Sequence, residues 1–514
     1  MSTTRGWPRV ALLSLADKRG AEDFARALAE RGTRILASGG TAKHLGQHGI
    51  EVTPVEKWTG VGELLGGRVK TLHPHIHAPI LARRDEPADL AFLAERGLEP
   101  IDLVAVSLYP FEARAASLDE AGAVEEIDVG GVALLRAAAK NHAGVIAVHD
   151  PAQYAEVLGA LETGGATHER RRAWATSAFA RTARYDAAIC ADLARRAGDG
   201  GTPPVHVVAL EHVRSLRYGE NPHQQAALYA RIGRVAELKA WKEGKELSSN
   251  NLLDLDAAVG LVHRFEGPAC VIVKHGQPCG AASGPTPAAA YDLALRCDDL
   301  SAYGGTVAFN RPLAGEAARR VAQQFVECVA APEFTQEADE AFKSKKNVRL
   351  LRLTAKEVEP QDLWRLRLVG EWGLLQRESG EPAPAWNVVT RRAPSEEELA
   401  ALRFAWEVAA AARSNAIAIA RGPALIGLGS GQTSRVDAVD VAIMKARRAG
   451  HDLEGAVLAS DGFFPFADNV EHAAAAGIGA IVQPGGSMRD GEVIAACDRL
   501  GVAMAFTDRR TFRH

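Results

Sequence analysis

Residues 34–45 read RILASGGTAKHL. Arg34 to Ala37 is a short apolar run of strand type, Gly39-Gly40 turns the chain, and Thr41 opens a helix through His44 and Leu45. Upstream, VALLSL at 10–15 reads as a strand, and AEDFARALAER at 21–31 as a helix with Phe24, Ala25 and Leu28 on one face. Downstream, VAVSL at 104–108, stopped by Pro110, and VIAV at 145–148 are further strands. Strands alternating with helices predict an α/β fold with a doubly wound parallel sheet. Such sheets bind ligands outside the carboxyl ends of their strands, where each chain turns into the next helix.

Two polar groups fall at such turns: Lys18 after the first strand, and Ser38-Gly39-Gly40-Thr41 after the second. Glycines let backbone N–H groups approach an anion, and a helix N-terminus favours negative charge. Residues 67–81, GRVKTLHPHIHAPIL, add Arg68, Lys70 and Thr71. The same stretch carries His73, His75 and His77 at alternate positions, which chelate a metal only from one straight strand. Pro74 and Pro79 interrupt that strand, and no Asp, Glu or Cys lies close by to complete a shell. An anion cradle is the expectation, and no metal. In IDVGGVALLRAAAKNH at 127–142, Asp128 precedes Gly130-Gly131 and Lys140 ends a helical run. An unbroken helix from Val132 to Lys140 spans roughly 12 Å, so spacing alone does not bring the two to one small substrate.

The chain has 514 residues, too many for one core. A helical stretch over about 169–197 ends in GDGGTPP at 198–204, where glycine and proline break regular structure, so the expected domains are 1–200 and 205–514. The second half repeats weakly. CVIVKHGQPCGAASG at 270–284 reads as strand, turn and helix; AIAIARGPALIGLGSG at 416–431 reads as strand, turn and strand; each precedes a Phe-bearing strand, TVAFN at 306–310 and VLASDGFFPF at 457–466. LRYGENPHQ at 216–224 is a polar loop in which Arg217-Tyr218 can clamp an anion and a ring. Lys274-His275 ends a strand and offers an ammonium beside a base usable near neutral pH; neighbours on a strand point oppositely, so they act together only if the Gly276 turn twists them. A zinc deaminase needs H-x-E and P-C-x-x-C, and both the glutamate and the second cysteine are missing here.

A net charge of −4 gives no basic surface for nucleic acid or an anionic membrane. Six scattered cysteines without a CxxC pair argue against structural zinc and disulfides. The first twenty residues lack the pattern of an export signal, and no apolar run reaches the ~18 residues of a membrane span. A cytoplasmic protein is expected.

The motifs together resemble the bifunctional purine-biosynthesis family that joins AICAR transformylase to IMP cyclohydrolase. They are SGGTA, GRVKTLHP, LYPF, RAAAKNH, LRYGENPHQ, NNLLDLDAA, KH-x-x-PCG, SAYGG-x-VAFN, RSNAIA, GSGQTSRVD, SDGFFPF, QPGGS-x-RD and the terminal FRH, and they cover nearly the whole chain. The resemblance implies a methylglyoxal-synthase-like N-terminal domain that closes the IMP ring. It implies a C-terminal pair of zinc-free cytidine-deaminase-like subdomains that transfer a formyl group, in a homodimer with shared sites. The substrates it implies are AICAR, FAICAR and IMP, with 10-formyltetrahydrofolate as co-substrate and no metal.

Carried over by motif, the cyclohydrolase site takes Asp17, Lys18, Ser38, Gly39, Gly40, Thr41, Arg68, Lys70, Thr71, Ser107, Tyr109 and Gly130, with Lys140 assisting proton transfer and Asp128 positioning the amide. The transformylase site takes Lys274 and His275 as catalytic groups and Arg217, Tyr218, Gly304, Glu327, Asn415, Gln432, Phe463 and Arg510 for substrate. Thr433, Asp468, Ser487 and Met488 are implied for folate. Ala16, Arg19 and Ser107 depart from the family's usual serine, threonine and asparagine, each removing or shortening an expected polar contact, and Gln277 stands for a common asparagine.

Overall fold

The computed structural model describes residues 6–198, 205–231, 239–242, 244–354, 364–377 and 385–514. The chain divides into two compact units, the first running to Glu211 and the second from His212, apart from a short return at Arg231. The break expected at 198–204 lies outside the described residues except for Gly198.

The first unit holds five parallel strands: β1 (Val10–Leu15), β2 (Arg34–Ala37), β3 (Thr53–Pro54), β4 (Leu103–Ser107) and β5 (Ile146–Val148). Their order is β3-β2-β1-β4-β5, so the direction of winding reverses between β1 and β4. Alternate residues of one strand serve opposite faces. Val10 and Leu12 enter a core with Leu134 and Leu135 of the helix Gly130–Lys140, whereas Ala11, Leu13 and Leu15 pack with Phe24 and Leu28 of the helix Ala21–Glu30. The helix His168–Arg196 adds Ala175, Ala178 and Tyr185 to the first of these cores.

Residues 74–81 form a helix, Pro74–Leu81, and His73 caps it by accepting the His75 backbone N–H at 3.0 Å. Proline at the first helical position has no N–H to leave unsatisfied. His73 lies outside the helix as its cap, with its ring 4.8 Å from that of His75, so the three histidines do not line up along one straight strand.

The hairpin β6 (Leu210–Ser215) with β7 (Ala227–Arg231), most of it in the second unit, precedes a sheet of twelve strands. β8 (Lys239–Lys242), β9 (Ala269–Lys274), β10 (Gln277–Ser283), β11 (Gly305–Phe309), β12 (Val326–Ala331) and β13 (Arg349–Arg352) form one half. After a separate hairpin, β14 (Trp364–Val369) with β15 (Trp372–Arg377), the other half follows: β16 (Asn387–Val388), β17 (Ile417–Arg421), β18 (Ala424–Gly429), β19 (Val457–Ser460), β20 (Ala480–Gln483) and β21 (Ala503–Phe506). The order β16-β21-β20-β19-β17-β18-β10-β9-β11-β12-β13-β8 is two copies of one arrangement, joined where Ala282 meets Ala424. The helices Ser249–Val262 and Glu396–Ala411 share one core across the join, while the opposite face carries a separate core for each half.

The weak repeat in the sequence is therefore real, with one correction. QPCGAAS is a second strand, not the start of a helix, and forms a hairpin with β9. It lacks β-branched residues because the helix Pro287–Leu295 lies almost on its backbone: a side chain at Gly280 would meet the Ala294 carbonyl oxygen at 2.2 Å. Gly427 holds the matching place in β18, 2.4 Å from the Ala442 carbonyl oxygen by the same measure. No helix among the described residues is long and apolar enough to cross a membrane.

Candidate active sites

In the first unit the expected residues gather at the carboxyl ends of β1, β2 and β4, around the reversal of winding. Thr41 accepts the Leu15 N–H at 2.9 Å, and Ser14 and Ser38 share a hydrogen bond at 2.9 Å. These bonds tie the SGGT turn to β1 and leave the helix Gly39–Gln47 opening toward the crevice. Lys70 comes to the same turn: a methyl group added at Gly39 would lie 3.8 Å from its ammonium. Thr71 stands over the start of the next helix, where a carbon added at Gly130 would lie 2.7 Å from its hydroxyl. Two helix N-termini, an ammonium and a hydroxyl thus face one place. Lys70 is ion-paired with Glu63, and Arg68 with Glu125.

Asp128 caps the helix Gly130–Lys140 by accepting the Gly131 N–H at 2.7 Å, and its own N–H donates to the Tyr185 hydroxyl at 2.8 Å. Burial pushes its carboxyl above the usual range, against the pull of the Gly131 and Tyr109 backbone N–H groups. Lys140 is elsewhere. The helix is unbroken, so Lys140 sits about 15 Å along its axis from Gly130, exposed, beside the start of β5 and not at the carboxyl ends of the strands. Within one chain the helix Gly130–Lys140 lies between Lys140 and Asp128.

Two of the departures acquire a meaning. Ser107 accepts the Asp17 N–H at 2.8 Å and donates to the Asp17 carbonyl at 3.2 Å. It is buried and holds the Asp17-Lys18 turn. Arg19 grips the Asp17 carboxylate at 2.6 Å and holds its pKa below the usual range by hydrogen bonding. Replacing Ser107 with alanine should cost roughly 1–2 kcal/mol for the two bonds, read as an earlier first transition in urea, and should weaken IMP binding with it.

In the second unit, Lys274 ends β9 and pairs with Gln277 at the start of β10, so His275 and Gly276 form the whole two-residue turn. Both have positive φ, 54° and 69°, the pairing that a tight hairpin of this hand requires. His275 is thus off the strand, which answers how it can work beside Lys274. The Gly276 N–H donates to Asp254 at 2.6 Å, from the helix Ser249–Val262. Lys274 donates to the Tyr303 carbonyl next to Gly304, where an added carbon would lie 3.9 Å from its ammonium. Glu327 on β12 accepts from Asn251 at 2.7 Å and approaches Arg349 at 3.5 Å. Arg217 lies over the Tyr218 ring at 4.8 Å, and their loop is pinned to the start of the same helix by Arg217 N–H to Leu247 and Ser249 N–H to Tyr218.

The other half is tied to this turn through Gln277. The Gln277 amide oxygen accepts the Arg413 N–H at 2.9 Å, two residues before Asn415. Asn415 donates to the Gln432 carbonyl at 2.9 Å and accepts from Arg435 at 2.6 Å. Arg435 in turn pairs with the fully buried Asp461 at 2.6 Å. The C-terminal tail closes over this cluster: the Thr511 N–H bonds the Asp461 carbonyl, the Ser414 N–H bonds the Arg513 carbonyl, and Arg510 lies 4.5 Å over the Phe512 ring. Phe463 is half-exposed beside Gly462, which faces that ring. Thr433 follows Gln432 on the same turn; Asp468 opens the helix Asp468–Ala475; Ser487 and the fully exposed Met488 follow β20.

The sequence matches the MGS-like domain family over residues 20–133 and the AICARFT/IMPCHase bienzyme family over residues 138–445. The bifunctional purine biosynthesis protein PurH of Chloroflexus aurantiacus is 48% identical over 511 residues, 98% of either chain. The chain belongs to the AICARFT/IMPCHase bienzyme family. As a bienzyme of purine biosynthesis it carries out the final two steps of IMP formation. A solved structure described as ForH is 39% identical and covers 36% of this chain and 98% of its own, at a TM-score of 0.32, too loose a superposition to bear on the fold.

Within this bienzyme, three groups stand at the sites that motif matching alone does not assign. Asp254 holds the Lys274–Gly276 turn, and Arg435 with Asp461 holds Asn415. Their signal was present, since Asp254 lies in NNLLDLDAA, Arg435 in GSGQTSRVD and Asp461 in SDGFFPF. Burial raises the Asp254 pKa, opposed by the Gly276 N–H and by His275. Asp254→Asn keeps an acceptor for Gly276, whereas Asp254→Ala leaves that N–H without a partner at a cost of about 1–3 kcal/mol. We expect the alanine variant to lose stability and formyl transfer together, and the asparagine variant to fold normally and lose turnover only; urea titration and initial rates separate them.

Proposed function

We propose that the first unit closes the ring of FAICAR and that the second transfers the formyl group of 10-formyltetrahydrofolate to AICAR. The observation that carries the reading is the turn Lys274-His275-Gly276, with an ammonium and an imidazole at one hairpin tip fixed from below by Asp254. The 5-amino group of AICAR is a weak nucleophile, because its lone pair delocalises into the imidazole–carboxamide system. In this reading it attacks the formyl carbon, His275 takes the proton it sheds, and Lys274 stabilises the oxyanion. The bond from formyl carbon to the folate N10 then breaks, and tetrahydrofolate leaves with a proton on that nitrogen. Arg217, Tyr218, Gly304, Glu327, Asn415, Gln432, Phe463 and Arg510 hold AICAR; Thr433, Asp468, Ser487 and Met488 meet the folate.

In the first unit the phosphate of FAICAR takes the place beside Lys70 and the SGGT turn, displacing Glu63 as the partner of that ammonium. Arg68, Thr71, Asp17 and Lys18 frame it, with Ser107 holding the turn and Tyr109 at the rim. The carboxamide nitrogen attacks the formyl carbon of the same molecule and water leaves. The step is intramolecular, so the site gains most by holding the folded conformer. Asp128 orients the amide. A proton-transfer role for Lys140 rests on the resemblance alone.

The enzyme works as a cytoplasmic homodimer without a metal in either reaction. The test is to incubate the pure protein with AICAR and 10-formyltetrahydrofolate and to look for IMP. Formylation without IMP, or no consumption of folate, would overturn the assignment, and sedimentation velocity reads the dimer.

A further inference from the structure

We propose that Glu22, His44 and His48 form a binding site for a zinc-like divalent cation that staples together the two helices framing the phosphate cradle. His44 and His48 are one helical turn apart at the end of Gly39–Gln47, and Glu22 faces them from the first turn of Ala21–Glu30. Their nearest nitrogen and oxygen atoms all lie within 4.8 Å of one another. His44 Nε2 is 3.2 Å from the Glu22 carboxylate and His48 Nε2 is 3.9 Å from it. Ligands of a tetrahedral zinc stand about 3.3 Å apart, given bonds of about 2.0–2.1 Å. One edge already has that length, and small side-chain rotations close the other two.

The protonation pattern suits a metal. His48 Nδ1 lies 2.9 Å from the His44 carbonyl oxygen at the helix end. A carbonyl only accepts, so Nδ1 carries the hydrogen and Nε2 presents its lone pair toward Glu22. This is how a backbone carbonyl orients a zinc-bound imidazole. His44 Nε2 is a buried atom that the Glu22 carboxylate approaches to 3.2 Å without the alignment of a hydrogen bond. The negative end of the helix Gly39–Gln47 also favours a cation there. Arg26 bonds the His48 carbonyl at 3.4 Å and is balanced by Asp23. The three side chains are part-exposed, which gives the ion an entry path and leaves a fourth position for water.

The site is distinct from the chemistry. Both helices begin at the crevice, one just after the Asp17–Arg19 turn and the other at Gly39. A cation between Glu22 and the two imidazoles fixes their spacing from the outside and takes part in neither reaction. It is also separate from the His73–His77 run, which belongs to another helix.

The test uses the full chain, stripped with a chelator, in a Cys190→Ser background that removes the exposed thiol. Zinc is titrated calorimetrically, and cobalt is followed by its visible absorption. The expected result is one equivalent per chain, with affinity reduced at least ~10-fold in His48→Ala and abolished in the His44→Ala/His48→Ala double variant. His48 lies at the exposed helix end, so its loss leaves the fold intact. Amide exchange over Ala21–Glu30 and Gly39–Gln47 should slow with zinc in the parent and not in His48→Ala, while both enzyme activities stay the same with and without chelator. Equal binding by the double variant, or a shallow isotherm without an end point, overturns the proposal and leaves a surface histidine–glutamate pair with adventitious metal only.

Discussion

Replacing His275 should slow formyl transfer by about 10²–10⁴-fold, the usual contribution of a positioned general base, while ring closure of supplied FAICAR continues. The choice of substitute matters because His275 has φ 54°. A left-handed residue other than glycine costs roughly 1–2 kcal/mol, and asparagine tolerates it better than most. His275→Ala therefore combines loss of the base with added strain in the turn. His275→Asn fits the turn and still lacks a base. If both variants lose formylation alike and both close FAICAR at the parent rate, the imidazole is the base. If the asparagine variant keeps within about ten-fold of the parent rate, well short of that general-base range, His275 only shapes the hairpin. AICAR formylation is pulled forward by ring closure, so rates are compared with excess folate and at early times.

The local elements were legible and the long-range ties were not. VALLSL and RILA carry enough apolar residues on both faces to announce buried parallel strands, and SGGT marks its own turn. β3 is two residues long and β10 is QPCGAAS, so neither has a periodicity to read; β10 is small because a helix rests on it. The same limit governs the sites. Lys70 was placed with the SGGT turn on charge, and in the folded chain its ammonium stands by Gly39, while Thr71 stands over Gly130. The bonds that hold the second site span 22 residues from Asp254 to Gly276, 136 from Gln277 to Arg413 and 26 from Arg435 to Asp461. No local pattern encodes such pairings, although every residue in them lies in or beside a recognisable motif. That His275 leaves the strand at Gly276 was readable only as a condition, and the positive φ of both residues meets it.

Asp128→Asn should stop ring closure without harming the fold, and it separates function from stability by the sign of a pKa. Burial raises the Asp128 pKa above its unfolded value. Its contribution to stability is therefore full below the unfolded pKa and is lost as pH rises through the folded one, so at neutral pH the charged carboxylate is a burden on the unit. Asparagine is as good a helix cap as aspartate and can still accept from Gly131. The variant should unfold at the same urea concentration as the parent or a higher one at pH 7, and at no higher concentration below the unfolded pKa. Ring closure should fall by about 10²-fold or more if the carboxylate handles a proton in the reaction. In the parent the acid limb of kcat/KM for closure should lie above the ordinary aspartate range, and the asparagine variant should lack it. Lys140→Ala is the decisive companion. With the lysine a helix length from the cradle, the geometry of one chain expects a loss under about ten-fold, against the ~10²–10⁴-fold of a missing general base. A loss as large as that of Asp128→Asn, with IMP binding retained, would mean that the base of FAICAR is met by Lys140 at the far end of this helix or by Lys140 of a second copy of the chain. The cradle would then fix only the phosphate.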